Sequence, residues 1–343
     1  MYFASIDCGT TNSRVYIIDD KQGVVGKGTR NVGVRNTSMS GSKEILKNGL
    51  KEAFFEALNN ASLTLSDINF TVSAGMITSE IGLCTVPHLT APVGCQELAE
   101  GMVKKHDLSI FPIDLPIYFI PGIKNKLKKK EPTVSDVNHM DFMRGEETQI
   151  IGLVEKKKYT LPVTAVILSS HTKFISINQK GQIDKSLTTM SGQVYEAVKK
   201  QTFLGKSMEK VEGIDEPVDF FDTEIIKNAY EIVKDSGFLR SMIITRFMDV
   251  LLNTKWYESK LFVESAIAAD DIKVLLQFKD AYISDKSNIV LIGHERRCKI
   301  YRYILNDILN YPVNIEIMSD VEEIDSLNIE GTINILKTSQ ILS

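Results

Sequence analysis

Apolar residues recur along the chain with two different periods, and the switches between them mark its elements. Tyr2-Phe-Ala-Ser-Ile6 and Arg14-Val-Tyr-Ile-Ile18 are short β-branched and aromatic runs, joined by the small polar link Asp7-Cys-Gly-Thr-Thr-Asn-Ser13. Each run has strand length, and the link has hairpin-loop composition. Asp19-Asp-Lys-Gln-Gly23 reads as a turn into a third strand at Val24–Lys27. From Ser42, the expected N-cap, to about Asn59 the period changes. Ile45, Leu46, Leu50, Ala53, Phe54, Ala57 and Leu58 there form one helical face. A strand at Ile68–Ala74, a loop to Val93, a helix around Gln96–Lys105 and a strand at Tyr118–Ile120 follow, the last stopped by Pro121-Gly122.

The second half opens with a strand at Val163–Leu168, a loop Ser169-Ser-His-Thr172, a strand at Lys173–Ile177 and a turn at Gln179-Lys-Gly181. Helices are expected at Gly192–Phe203, Phe220–Val233, Arg240–Leu252 and Glu258–Phe278. A strand at Ile289–Ile292, a helix at Arg297–Leu309 and a strand at Val313–Ile317 close the pattern. Strands followed by helices in both halves predict a mixed α/β fold.

The two strand–loop–strand units resemble each other. Each strand enters a Ser/Thr-rich loop, leaves through a basic residue (Arg14 or Lys173) and ends in a glycine turn. Their spacing, close to one domain length, predicts two related domains, 1–158 and 159–343, facing one another across a cleft. Loops of this kind offer backbone N–H groups, hydroxyls and a following cation, which is what a polyphosphate needs.

Composition narrows the class. At 343 residues, about two domains of roughly 100–200 residues each are expected. Hydrophobic residues at 43% and charged residues at 24% exclude a disordered or fibrous chain. The formal net charge of −4 leaves no footprint for non-specific nucleic-acid binding. The first apolar stretch contains Asp7 and lacks the basic start of a signal peptide, and no long uncharged apolar run occurs. A cytoplasmic protein with no membrane and no nucleic-acid partner is the expectation, and a homodimer is one option for its assembly. Cys8, Cys84, Cys95 and Cys298 are scattered, so zinc and disulfide frameworks are set aside, with Cys8 read as a small buried residue. His88 and His139 lack metal-ligand spacing. The basic run Lys124–Lys130 reads as a solvated loop, and Trp256 as a seal on a helix surface.

Two nucleotide-motif lookalikes fail. Gly26-Lys-Gly-Thr-Arg-Asn31 ends in Asn with no helix after it, and Leu204-Gly-Lys-Ser207 lacks the upstream glycine of a P-loop. No protein-kinase catalytic loop and no GxSxG elbow is present.

Asp7-Cys-Gly-Thr-Thr-Asn-Ser-Arg14 resembles the first phosphate motif of the superfamily of actin, hexokinase and Hsp70 ATPases. Further stretches resemble the 2-dehydro-3-deoxygalactonokinase family: Ala74-Gly-Met76, Val86-Pro-His-Leu89, Ile120-Pro-Gly122, Phe142-Met-Arg-Gly-Glu-Glu-Thr-Gln149 and Thr189-Met-Ser-Gly192. The resemblance implies duplicated ribonuclease-H-like (actin-like ATPase) domains. It also implies Mg-ATP-dependent phosphorylation of the terminal hydroxyl of 2-dehydro-3-deoxy-D-galactonate, a step of carbohydrate-acid catabolism. By that resemblance Asp7 stands near Mg²⁺ and the transferred phosphoryl group, and Gly9, Thr10, Thr11, Asn12 and Arg14 cradle phosphates. Ser170, His171, Thr172, Lys173 and Gly293 form the second nucleotide side. Gly75, Met76 and Arg144 meet the sugar acid, Arg144 as a fork for its carboxylate. Glu146 or Glu147 is the base, with a charge cluster at a helix start as the competing reading.

Three departures from the family pattern carry weight. The second loop has Ser169-Ser170 in place of a glycine, Gln193 replaces a favoured Glu, and the adenosine-side loop reads Ile292-Gly-His-Glu-Arg-Arg297. Bulky residues there, beside an intact Met143–Gln149 block, favour as the alternative a catalytically weakened or inactive paralogue that binds a sugar acid as a sensor or binding module. A third option, an ATPase of the same superfamily acting on a protein partner, is opposed by the substrate-like block.

Overall fold

Two sheets with the same strand order organise the molecule, which is described by a computed structural model over residues 1–127, 129, 131–278 and 288–342. Lys128 and Lys130 of the basic run lie outside the described residues.

The first unit comprises Met1–Tyr159, Gly181–Ser186 and Asp325–Ser343. Its strands are β1 (Tyr2–Cys8), β2 (Ser13–Ile18), β3 (Val24–Arg30), β4 (Ile68–Gly75), β5 (Leu89–Thr90), β6 (Val103–Lys105), β7 (Ile117–Phe119), β8 (Ile123–Lys124) and β9 (Phe142–Met143). The main sheet has the order β3-β2-β1-β4-β7-β6, and β5, β8 and β9 make a small second sheet. Helices α1 (Val34–Ser40), α2 (Glu44–Ala61), α3 (Cys95–Gly101) and α4 (Glu146–Glu155) accompany them. The apolar face of α2 supplies the buried Leu46, Leu50, Ala53, Phe54, Ala57 and Leu58 of the core beside this sheet. A Cβ on Gly28 of β3 would stand 1.9 Å from the Ala53 carbonyl oxygen, so the Gly26/Gly28 pair is a seat for α2 rather than a nucleotide motif.

The second unit comprises Thr160–Lys180 and Leu187–Ile324. Strands β10 (Val163–Leu168), β11 (Thr172–Ile177), β12 (Ile183–Thr189), β13 (Asn288–Gly293) and β14 (Asn314–Met318) have the order β12-β11-β10-β13-β14. Helices α5 (Ser191–Gln201), α6 (Thr223–Ser236), α7 (Phe238–Leu252), α8 (Trp256–Leu275) and α9 (Glu295–Tyr303) follow the hairpin or cross between strands. Helix α8 buries residues on most of its circumference, as the central helix of a core does. A last helix, α10 (Val321–Thr338), carries the chain from Asp325 onward into the first unit. Relative to a single division after residue 158, Gly181–Ser186 and Asp325–Ser343 are the segments that group with the first unit.

In each unit a three-stranded meander is continued by two parallel strands, the ribonuclease-H-like arrangement, to which the first sheet adds an antiparallel edge strand, β6, and the registers coincide. Cys8 pairs with Ser13 and Gly75 in the first, Leu168 with Thr172 and Gly293 in the second. The hairpin echo in the sequence is thus a duplication of topology.

Several local expectations are corrected. Helix α2 starts at Glu44 with Lys43 in the cap position, and Ser42 Oγ only accepts the Glu44 N–H at 3.3 Å. The helix expected at Gln96–Lys105 ends at Gly101, because β-branched Val103 and the two lysines after it pair with β7 as β6. Strand β12 and helix α10 lie outside the expected pattern, whereas α4 begins at Glu146 with Glu147 in its first turn, as the competing helix-start reading has it. Helices α4 and α10 pack backbone to backbone through two glycines: a Cβ on Gly152 would lie 2.1 Å from Leu327 O, and one on Gly331 would lie 1.9 Å from Thr148 O.

Candidate active site

Ligands of α/β sheets gather at the carboxyl ends of parallel strands. In the first unit those are the ends of β1 and β4. Asp7 is the penultimate residue of β1 and pairs across the hairpin with Arg14, whose Nη1 lies 3.5 Å from Asp7 Oδ2. Arg14 also reaches Asp325 Oδ1 of α10 at 3.9 Å, and Lys27 reaches Asp325 Oδ2 at 3.7 Å. Burial pushes the Asp7 carboxyl above the usual carboxylate range; Arg14 opposes this, while Glu146 and Asp325 add to it. Glu146 and Asp325 therefore both bear on Asp7, and Asp7 and Asp325 share the Arg14 guanidinium.

The loop after Asp7 is fixed from outside. Gly9 N–H donates to Asn12 O at 2.9 Å, and the N–H groups of Val34 and Arg35 donate to the carbonyls of Gly9 and Thr10 at 3.2 and 2.9 Å. Thr10, Thr11 and Asn12 are exposed. Gly75 ends β4 with φ +91°, and a Cβ there would stand 2.7 Å from Cys8 O and 3.7 Å from Asp7 Oδ1. Only glycine meets both demands, which keeps the space beside Asp7 open. Met76, half-buried, follows directly. Cys8 is buried, and burial pushes its thiol up to about 12, so it is inert at neutral pH.

The Arg144–Glu147 block enters the same unit at the start of α4. Arg144 is buried: Nη1 donates to Thr78 Oγ1 at 2.7 Å, and Nη2 to Val86 O at 2.8 Å and His88 Nδ1 at 3.3 Å. Its guanidinium holds the Thr78–His88 segment against β9. Glu147 is fully buried, and both of its carboxylate oxygens lie within hydrogen-bond reach of the Gly145 N–H, at 2.8 and 2.7 Å. Burial is the main cause that pushes Glu147 up to about 8, with Glu146 adding and the backbone N–H groups and Arg144 opposing. Glu146, half-buried, is the member of the pair that bears on Asp7.

In the second unit the loop between β10 and β11 stands beside the end of β13. Ser170 is exposed, His171 half-exposed and Thr172 buried. Lys173 is buried and donates to Thr188 Oγ1 at 2.6 Å. Gly293 ends β13 with φ +148°, and a Cβ there would stand 2.8 Å from Leu168 O, the counterpart of the Gly75 arrangement. Of the bulky residues after it, His294 and Glu295 are exposed, whereas Arg296 and Arg297 fold back into their own unit. Arg296 is ion-paired with Glu216 and with Glu264, the latter at 3.0 Å, and Arg297 donates to Ser169 O, Thr172 Oγ1 and Ser191 Oγ at 2.8, 2.8 and 2.7 Å.

The remaining singled-out residues have structural settings. The His88 ring lies tilted against Phe142 with centroids 5.2 Å apart, and Trp256 donates to Ile214 O at 2.8 Å with its ring edge-on to Tyr257. Among the described residues, no cluster of His, Cys, Asp or Glu is arranged to hold a metal by itself, and no helix is long and apolar enough to cross a membrane.

Sequence reasoning missed Asp325 and Arg297. Asp320 caps the Glu323 N–H at 2.8 Å, so Asp followed three residues on by Glu, ahead of Leu327, Gly331 and Ile335, was the available signal for α10.

Comparison with known proteins bears on the fold and the family. A crystal structure of a candidate 2-dehydro-3-deoxygalactonokinase from Sinorhizobium meliloti superposes with a TM-score of 0.72 at 17% identity, covering 98% of both chains, which shows the fold. The 2-dehydro-3-deoxygalactonokinase of Escherichia coli (strain K12) is 27% identical over 140 residues, 40% of each chain. A protein of Rhizobium meliloti (strain 1021), described as a probable 2-dehydro-3-deoxygalactonokinase, is 22% identical over 207 residues, 60% of this chain and 59% of that one. The matched segments thus span between two-fifths and three-fifths of these relatives. The family model described as 2-keto-3-deoxy-galactonokinase matches residues 7–317, from Asp7 at the end of β1 to the last strand of the second sheet, and the chain belongs to that family.

Proposed function

We propose that the protein is a sugar-acid kinase that transfers the γ-phosphoryl group of ATP to the terminal hydroxyl of 2-dehydro-3-deoxy-D-galactonate. The observation that carries this reading is the setting of Asp7. It stands at the carboxyl end of β1, beside an open glycine, with Arg14 and Glu146 bearing on it. Phosphoryl transfer asks a protein mainly for positioning and for charge placed around the phosphates.

The residues present fit a magnesium ion that travels with a nucleotide. Such an ion keeps several waters and uses one or two carboxylates plus phosphate oxygens, and the space that a Cβ on Gly75 would fill lies next to the Asp7 carboxylate. Asp7 would hold it through water. When bound, Mg²⁺ neutralises the phosphate charge that develops in transfer. The exposed Thr10–Asn12 segment would offer hydroxyls and N–H groups to phosphate oxygens, and in the second unit Ser170 and His171 would offer theirs.

Between the two glutamates, burial favours Glu146 as the base. Glu147 is closed off from solvent and braced on Gly145, so it shapes the turn that presents its neighbour. Glu146 is accessible, and we assign it the acceptance of the substrate hydroxyl proton. Arg144, pinned by Thr78, Val86 and His88, sets the wall of the sugar-acid side.

Titration calorimetry with Mg-ATP, with and without 2-dehydro-3-deoxygalactonate, followed by substrate-dependent ADP release, tests the reading. Tighter ATP binding in the presence of the sugar acid, with ADP released only then, is expected. Sugar-acid binding without ATP binding would instead identify a binding module, and ADP release indifferent to the sugar acid would identify an ATPase of another kind.

A further inference from the structure

One guanidinium in the second unit ties together three separate pieces of chain. Arg297, in the first turn of α9, donates from Nη1 to the Ser169 carbonyl at 2.8 Å. From Nη2 it donates to Thr172 Oγ1 at 2.8 Å and to Ser191 Oγ at 2.7 Å. Those acceptors belong to the end of the β10–β11 loop nearest β10, to the first residue of β11 and to the first residue of α5. Thr172 and Ser191 are both buried, and their hydroxyls are 2.6 Å apart. Asp271 Oδ2 lies 3.9 Å behind the guanidinium and accepts the Tyr301 hydroxyl, and the Tyr301 ring faces the guanidinium at 5.9 Å.

The consequence falls on the loop backbone. Ser169 O is held by Arg297, Ser170 O by the Gln193 N–H at 2.9 Å, and His171 O by Ser169 Oγ at 2.8 Å. Three consecutive carbonyl oxygens are therefore engaged inside the unit. In a trans peptide the N–H points opposite to its C=O, so the N–H groups of Ser170 and His171 face the other way. Such an edge accepts anions.

The cation expected to serve this loop is elsewhere. Lys173, at the register position where the first hairpin has Arg14, is turned inward to Thr188. Arg14 is 41% exposed beside its loop, whereas the Lys173 residue is only 7% exposed.

We infer that Arg297 is the positioning residue of the second phosphate loop. It fixes Ser169–Thr172 with the N–H edge outward, and it takes at this loop the place that Lys173 vacates. The inference rests on the kinase reading of that loop and extends it to a residue outside the motif. An ammonium cannot take its place, because the three acceptors need the flat fork of a guanidinium.

The test compares wild type with R297A, R297K and S191A, after thermal melts identify the folded variants. Calorimetry uses the non-hydrolysable analogue AMPPNP with Mg²⁺, and turnover is measured against ATP and sugar acid separately. Expected is an at least about tenfold weaker nucleotide affinity in R297A and R297K, with a smaller loss in S191A. The KM for ATP rises while the KM for the sugar acid and kcat move little, and added guanidinium ion restores nucleotide binding to R297A. A structural role alone would show neither the split nor the rescue. Wild-type affinity in a folded R297A or R297K overturns the inference and leaves the kinase reading standing. Wild-type protein that binds no nucleotide overturns that reading, and this inference falls with it.

Discussion

Both carboxylate oxygens of Glu147 lie within hydrogen-bond distance of the Gly145 backbone N–H, while Glu146, one residue earlier, bears on Asp7. Adjacent residues on a helix point about 100° apart, so one acid is buried and its neighbour is left at the surface of the site. The two have separate physical consequences.

Glu147 makes stability depend on pH with a definite sign. Its folded pKa, pushed up to about 8, exceeds the ordinary value of 4.5, so folding favours its protonated form. The stabilisation is fully present below pH 4.5 and is lost as pH rises through 8. In E147Q that loss disappears, because a neutral amide oxygen still accepts the Gly145 N–H. Urea unfolding across this window should show wild-type stability falling by a few kcal/mol and the variant's profile flattening. An identical slope in both would refute the account of Glu147.

Asp7 is expected to matter for transfer and little for sugar-acid binding. D7N should lower kcat by at least about 100-fold, in the range found when a transition-state charge partner is removed. Calorimetry should give nearly unchanged affinity for 2-dehydro-3-deoxygalactonate. Turnover near the wild-type level would remove Asp7 from the mechanism.

Asp325 tunes Asp7 from α10. Its charge is among those raising the Asp7 pKa, and it pairs with Arg14 and Lys27. D325N should therefore move the acidic limb of the kcat/KM profile to lower pH, and R14A, which removes the opposing charge, should move it to higher pH. Shifts in the same direction, or none, would show that another group controls that limb. Stability should change by no more than about 1 kcal/mol in D325N, since the pairs are long and partly exposed.

Gly75 and Gly293 should prove equally intolerant of alanine. Each combines positive φ with a Cβ that would press on a backbone carbonyl, at 2.7 Å from Cys8 O and 2.8 Å from Leu168 O. G75A and G293A should each cost about 1–3 kcal/mol in urea unfolding. A loss in one variant only would mean that the two strand ends are not physically equivalent.

Much of the scaffold was legible because it is local. The β1–β2 and β10–β11 hairpins announce themselves as apolar runs around a Ser/Thr-rich loop, and the face of α2 is written in its spacing. Helix α10 escaped because Asn328, Gly331, Thr332 and Asn334 dilute its apolar periodicity. Those small and polar positions are explained by its contact with α4, where Gly331 and Gly152 let backbones meet and Thr148 Oγ1 donates to Asn328 Oδ1 at 2.9 Å. The Lys173 side chain shows the opposite limit: the motif placed a cation at the loop, and packing turned it inward to Thr188.

The sequence by itself determined the two strand–loop–strand units, since apolar runs of strand length around a short polar link are a local pattern, while the register that sets Asp7 against Arg14 came from the structure. Together with the Met143–Gln149 block, it also pointed to the family. Tertiary structure alone decided which of Glu146 and Glu147 is accessible, that Arg144 is tied down by Thr78, Val86 and His88, and that Asp325 comes beside Arg14 and Arg297 beside Thr172. Burial and the meeting of distant segments are properties of the packed chain, and the short-range spacing of residues carries no record of them.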